Sequence, residues 1–417
     1  MIKYGFICSL FFSIFTSFAA NYPFPQNKVA FGIKAAAAAS SDVQTAFQEW
    51  VSGYYEENGT EARIDFDTKS QTVSEGIGYG MLIMACMDNG QNNTRTKFDK
   101  LWSYYKKWRD NNGLMNWKIE GFSGVAGDGQ NGATDADLDA AAALVLANRQ
   151  WGDQSYLADA RTLINAIWNC EVNGNKYLKP GDAWDSKKDP SYFSTGALEL
   201  FKSVDTHDWS SVIANSFTLL KKTCNATTGL PPDWCSEDGN SLMGAFGYDA
   251  VRVPWRMAWA YSWYGQKDAS DIASKMATWI RGAVNNDPTA IKAGYSLTGQ
   301  ASAGYSNATY TGALSCAGMT LADNQDWINK GFAATKNATA NSYFNKTLQV
   351  LYLLLLSGNF PLMTGTEVAA HPSSVSVPAN CRHAVIPLTS VAGKYISFNG
   401  RKMKYSVVSF QPMIQRK

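Results

Sequence analysis

Eleven stretches of apolar residues at three- and four-residue spacing run almost end to end through this chain, and little else competes with them. The spacing predicts helices over 43–57, 75–87, 96–109, 137–150, 156–169, 192–204, 209–223, 250–264, 268–284, 325–336 and 343–356. Strand signals between them are scarce. Consecutive helices prefer to pack antiparallel, so the pattern implies an all-α toroid. The polar connections at 111–131, 174–190, 228–247 and 291–310 are long and rich in Gly, Asn, Asp and Trp. They should gather at one end of the toroid, which then carries the function.

Bulk properties narrow the choice. The 417 residues are 45% hydrophobic, enough for one large core. A net charge of +2 offers no electrostatic footprint for nucleic acid. Three histidines, two of them in the last fifty residues, leave little material for a His-based triad or metal centre, and neither a cofactor nor a metal is implied. Tryptophan, with 14 copies, exceeds what a core needs, and indoles presented on loops suit the flat faces of sugars. A leader is expected at 1–19, from Lys3, the apolar run at 7–15 and the small-x-small signal Ser17-Phe18-Ala19, so export is expected and a transmembrane segment is not. Export permits disulfides, and Cys224 with Cys235, flanking a Gly/Pro loop, form the expected pair; Cys86 reads as a buried thiol.

The composition shifts after Phe360. From 363 to 417 the pattern turns strand-like and basic, with seven Lys/Arg against the single acid Glu367. We expect a helical domain over 20–362 and a separate basic tail of unknown partner, a sorting or anchoring segment among the options; the default oligomeric state is a monomer.

Three small blocks place a carboxylate among Gly, Tyr and Thr: Ser74-Glu75-Gly76-Ile77-Gly78-Tyr79-Gly80, Ala133-Thr134-Asp135-Ala136-Asp137 and Gly247-Tyr248-Asp249-Ala250-Val251-Arg252. Taken singly, each has an ordinary explanation: an acid at a helix start, a cap, a helix ion pair. Glycines at 76, 78 and 80 imply that something comes very close to that turn, either a neighbouring helix or a substrate. Two acids beside Thr134 are more than a cap needs, so one can cap while the other points into a cleft. Separated carboxylates with aromatic platforms are the means of cutting glycosidic bonds.

Together the blocks resemble glycoside hydrolase family 8, inverting enzymes with an (α/α)6 barrel. The resemblance extends through Leu178-Lys179-Pro180-Gly181-Asp182-Ala183-Trp184-Asp185, Pro190-Ser191-Tyr192-Phe193, Pro232-Asp233-Trp234, Pro254-Trp255-Arg256 and Ser357-Gly358-Asn359-Phe360, in family order over about 21–361. It implies Glu75 as general acid, Asp249 as general base and Asp135 at the sugar being cleaved. It further implies that Arg252 and Tyr192 contact the central sugars and that Trp117 and Trp184 stack flanking ones. Tyr248, Asp137 and Trp234 complete the expected binding set. The tail lies outside the family pattern.

A β-1,4-glucanase is the leading expectation, with a β-1,4-xylanase or mixed-linkage glucanase next. A non-catalytic polysaccharide-binding toroid would have no need of all three carboxylates. A uronic-acid lyase would want a cationic cleft and a Tyr/His base.

Overall fold

The computed structural model describes residues 20–365 and the backbone of 394–398 and 401–405. The expected leader lies outside the described residues, as does most of the tail.

Twelve α-helices occupy the described residues: α1 (Ser40–Tyr54), α2 (Ser74–Cys86), α3 (Thr94–Lys107), α4 (Thr134–Trp151), α5 (Gln154–Glu171), α6 (Thr195–Phe201), α7 (Trp209–Thr223), α8 (Val253–Tyr264), α9 (Lys267–Ala283), α10 (Ala308–Ala317), α11 (Gln325–Asn337) and α12 (Tyr343–Leu356). They form two concentric rings. The even-numbered helices pack successively, α2 on α4, α4 on α6, α6 on α8, α8 on α10 and α10 on α12, and α12 returns to α2 to close the inner ring. Each odd-numbered helix lies outside against an even-numbered neighbour. The architecture is the (α/α)6 barrel expected.

Sequence explains the division. An outer helix needs one apolar stripe, and α9 buries Ala269, Ile272, Ala273, Met276, Ala277 and Ile280, a clean helical spacing. An inner helix has no solvent face, and every one of the 18 residues of α4 is buried. Close approach then demands small residues. A Cβ on Gly78 would stand 2.7 Å from the carbonyl oxygen of Ala136 in α4, and one on Gly76 would stand 3.0 Å from the Tyr343 ring in α12. The glycines of that first block are therefore answered by packing, not by substrate.

The sequence reading misses α10 altogether, since its Thr, Gly, Ser and Cys are weak helix formers. What holds it is the ring: Gly312 abuts the Tyr352 ring and Ser315 fits against Gly331. The helix expected over 192–204 is shorter, with a 3₁₀ turn at Pro190–Tyr192 ahead of α6, and that expected from 250 begins as a 3₁₀ turn at Ala250–Arg252 before α8.

Short strands brace the connections. β1 (Tyr55–Asn58) pairs with β2 (Glu61–Ile64); β3 (Gln71–Val73), β4 (Lys118–Glu120) and β5 (Gly124–Val125) form a three-stranded sheet; β6 (Trp234–Cys235) pairs with β7 (Leu242–Met243). In the tail, β8 (Lys394–Phe398) and β9 (Arg401–Tyr405) form an antiparallel hairpin, with Ile396 opposite Met403. Between residues 366 and 393 the strand-like pattern expected for the tail falls outside the described residues.

The disulfide expectation is corrected: Cys224 and Cys235 are both free thiols, whereas Cys170 is disulfide-bonded. Cys235 is held by backbone pairing instead, exchanging hydrogen bonds with Lys188 at 2.8 and 2.9 Å and lying opposite Leu242 in β7. Among the described residues no helix is long and apolar enough to cross a membrane.

Candidate active site

The N-terminal ends of the inner helices converge on one guanidinium. Glu75 lies in the first turn of α2, Asp135 in the first turn of α4, and Arg252 just before α8. Arg252 is 3% exposed, and its Nη1 donates to Glu75 Oε2 at 2.8 Å and to Asp135 Oδ2 at 2.6 Å. Its Nη2 faces Asp249 Oδ1 at 3.2 Å and Asp189 Oδ2 at 3.6 Å. Below it lies the Tyr192 ring, 5.3 Å from Cζ, a cation–π contact. One cation thus ties together the three carboxylates singled out from sequence and a fourth, Asp189, that was not. Asp189 caps its turn: its Oδ1 accepts the Ser191 N–H at 2.8 Å and so anchors the turn bearing Tyr192.

The carboxylates differ in surroundings. Glu75, with a side chain 18% exposed, also accepts from the Tyr343 hydroxyl at 2.9 Å. Burial pushes its pKa up to about 7, against the pull of Arg252 and with added repulsion from Asp135. It can therefore hold a proton near neutrality. Tyr343, at the start of α12, was missed by the sequence reading because a Tyr opening an apolar helix looks like core. Asp249 is open to solvent, with a side chain 40% exposed. Its Oδ2 accepts the Trp234 indole N–H at 2.9 Å. Asp135 is buried, and its Oδ1 accepts the N–H of Ala136 at 2.9 Å.

Beside this centre lie the aromatics. Trp184 and Trp234 approach to 5.2 Å with rings inclined at 41°, and Tyr192 meets Trp234 edge-on at 6.4 Å. The Lys187 ammonium sits 3.7 Å from the centre of the Trp234 ring. Trp117 is half-buried; its indole donates to the Asp128 carbonyl at 2.8 Å, and its own carbonyl accepts from Ser74, next to Glu75, at 2.9 Å. Tyr248 is exposed and edge-on to Tyr310 and Phe344, and its hydroxyl accepts from Asn307 at 3.1 Å.

One expected binding residue points elsewhere. Asp137 is fully buried, accepts from the Tyr105 hydroxyl and from the Met115 N–H at 3.3 Å, and faces Glu171 rather than the cleft. Two positions along a helix rotate the side chain by about 200°, so Asp135 and Asp137 cannot share a face. Burial raises the Asp137 pKa to about 8.

Comparison with known proteins identifies the family. A family model described as glycosyl hydrolases family 8 matches residues 22–358. Endoglucanase 2 of Ruminiclostridium josui is 33% identical over 84% of this chain and 79% of its own. The β-glucanase of Niallia circulans is 30% identical over 85% of this chain and 95% of its own. Among solved structures, the apo β-1,3-1,4-glucanase from Paenibacillus sp. X4 superposes with a TM-score of 0.76 at 28% identity, covering 81% of this chain and 98% of that one.

Proposed function

The chain belongs to glycosyl hydrolase family 8, and on that premise we propose that it is an endo-acting hydrolase of β-1,4-glucan chains that inverts the anomeric centre. That it is a glycoside hydrolase acting on β-glucans follows from the family and its relatives; the linkage, the residue roles and the place of action are our reading. The observation that carries it is the pairing of Glu75 and Asp249 across Arg252. Contacts of 2.8 and 3.2 Å to the two ends of one guanidinium set two carboxyls beside one cation, as an acid and a base working on one glycosidic bond require.

In this scheme Glu75 delivers its proton to the departing glycosidic oxygen as the C1–O bond breaks. A water on the opposite face forms the new C1–O bond, and its proton passes to Asp249. Asp135, anchored by Arg252, binds the sugar at the scissile position. Trp117, Trp184, Trp234, Tyr192 and Tyr248 supply faces and edges for the chain on either side. We assign residues 20–362 as the catalytic domain, 1–19 as an export leader and 363–417 as a separate basic segment, with the enzyme acting outside the cell. A mixed-linkage β-glucan is the second reading, favoured by the glucanase neighbour that this chain covers almost completely.

Following anomeric protons by NMR during digestion of cellohexaose, barley-type mixed-linkage glucan and xylohexaose tests the proposal. Initial α-product from cellohexaose is expected. Initial β-product would sink the inverting scheme, and product from xylohexaose alone would move the substrate to xylan. Glu75→Gln should lose turnover by at least about 1000-fold while still binding cellohexaose, a loss at the level of general acid catalysis.

A further inference from the structure

The base of the proposed mechanism lies on a connection that lacks an obvious anchor. Asp249 precedes a three-residue 3₁₀ turn whose first residues have no side-chain cap of their own, and N–H groups at such a start must find acceptors. They find a single one. Asp233 Oδ1 accepts the backbone N–H of Gly247 at 3.1 Å, of Asp249 at 3.2 Å and of Ala250 at 2.9 Å. The residue after it, Trp234, donates its indole N–H to the Asp249 carboxylate itself. Two consecutive residues therefore hold the base from behind, one by its main chain and the other by its side chain.

Their own support is stiff. The Asp233 N–H is bonded to the Ala245 carbonyl at 2.9 Å, and Trp234 and Cys235 lie in the β6–β7 pair, bridged on the far side to Lys188. The fit is also tight. A Cβ on Gly247 would come within 2.2 Å of Asp233 Oδ2, so only glycine lets the loop descend onto the carboxylate. This accounts for the glycine that opens the Gly247-Tyr248-Asp249 block.

We propose that Asp233 is a positioning residue for the reaction: it fixes the height and direction of Asp249 over the attacking water without touching substrate. The proposal rests on Asp249 being the base. A carboxylate drawing three N–H groups to one point makes charge-assisted bonds, and a base displaced by about 1 Å costs on the order of 100-fold in rate.

The test compares Asp233→Ala, Asp233→Asn, Gly247→Ala and Asp249→Asn on cellohexaose, with and without sodium azide. Asp233→Ala should lose about 100-fold in kcat with KM changed far less. Asp233→Asn, whose amide oxygen still accepts the three N–H groups, should recover most of that loss. Gly247→Ala pushes the same contact apart from the loop side and should mimic Asp233→Ala, which keeps the test usable if one variant fails to fold. Azide needs no base, so it should restore turnover to Asp233→Ala and to Asp249→Asn, giving the α-glycosyl azide in both. Azide rescue of Asp249→Asn alone, with Asp233→Ala keeping its kcat or recovering nothing, would overturn the positioning role and leave the base assignment intact. Full hydrolytic activity in Asp249→Asn would overturn both.

Discussion

Arg252 is the residue on which the site's electrostatics turn. Burial lifts the Glu75 pKa to about 7, and Arg252 is the main influence holding it down. Activity that depends on a protonated Glu75 should therefore fall as pH rises through about 7. Replacing Arg252 by Met removes the opposing cation, so the surviving activity should lose its basic limb at a higher pH than the wild type. Profiles of kcat/KM against pH for the two proteins check this, and a limb that moves to lower pH would contradict the pairing. Trp234→Phe, which deletes one donor to Asp249, should cost about 10-fold in kcat, the scale of one hydrogen bond to a charged group. Much of this centre was legible in the sequence because Glu75, Asp135, Asp249 and Arg252 sit in three short blocks that together, and in order, resemble the family's. Asp189 and Tyr343 were not, because a turn-capping acid and a Tyr opening an apolar helix look ordinary, and Asp233, though it stood within Pro232-Asp233-Trp234, has no sign of its role until the loop is folded. Asp137 was misplaced for the opposite reason: it lies in the right block but on the wrong helical face.

At the scale of elements, the centre rests on a two-rung ladder between α4 and α8. Arg252 meets Asp135, and one turn further in Arg256 meets Asp139, with Nη2–Oδ2 at 2.7 Å and both side chains 1% exposed. The spacing is four residues on each helix, so both rungs lie on facing sides. Arg256 is packed against the Trp255 ring, 4.7 Å from its centre. A buried pair of this kind contributes little net stability when complete but is costly when broken. Arg256→Met alone should lower unfolding stability by about 3–5 kcal/mol, and the double variant Asp139→Leu/Arg256→Met should recover most of it. Denaturant titration of both decides; equal losses would mean that the pair contributes through shape, not charge. This ladder was half visible: Arg256 appeared within Pro254-Trp255-Arg256, while Asp139 was hidden in an alanine-rich helix. Element α10 was invisible, since its weak helix formers are held by ring packing that no local window contains.

Across the whole molecule, several carboxyls drawn away from water are shifted in one direction. Asp137 is raised to about 8, Asp110 to about 7 and Asp233 to about 6, with burial the first cause in each, and Glu171 and Asp189 are raised well above the usual carboxylate range for the same reason. The folded state therefore keeps protons that the unfolded chain gives up near pH 4. Stability linked to these groups is complete below about pH 4 and is lost as pH rises through the folded values, because the native state binds more protons over that window. Other carboxyls work against this at the acid end: Glu57, paired with Lys100, and Glu237, beside Lys188 and Asn175, are held below their ordinary values and need to stay ionised. The Tm should accordingly be highest near pH 5 and decline towards pH 8. Asp137→Asn keeps an oxygen that can accept from Tyr105 and Met115 but cannot ionise, so its Tm should decline less over the same range. Because Asp137 lies outside the cleft, its replacement should flatten the stability curve while the basic limb of activity, set by Glu75, stays near 7. Calorimetry from pH 5 to 8 beside the pH–activity profile separates the two. A wild-type Tm that climbs over that range would mean that these carboxyls fold ionised, and a limb that moves with Asp137→Asn would mean that loss of the fold, not loss of the Glu75 proton, ends activity.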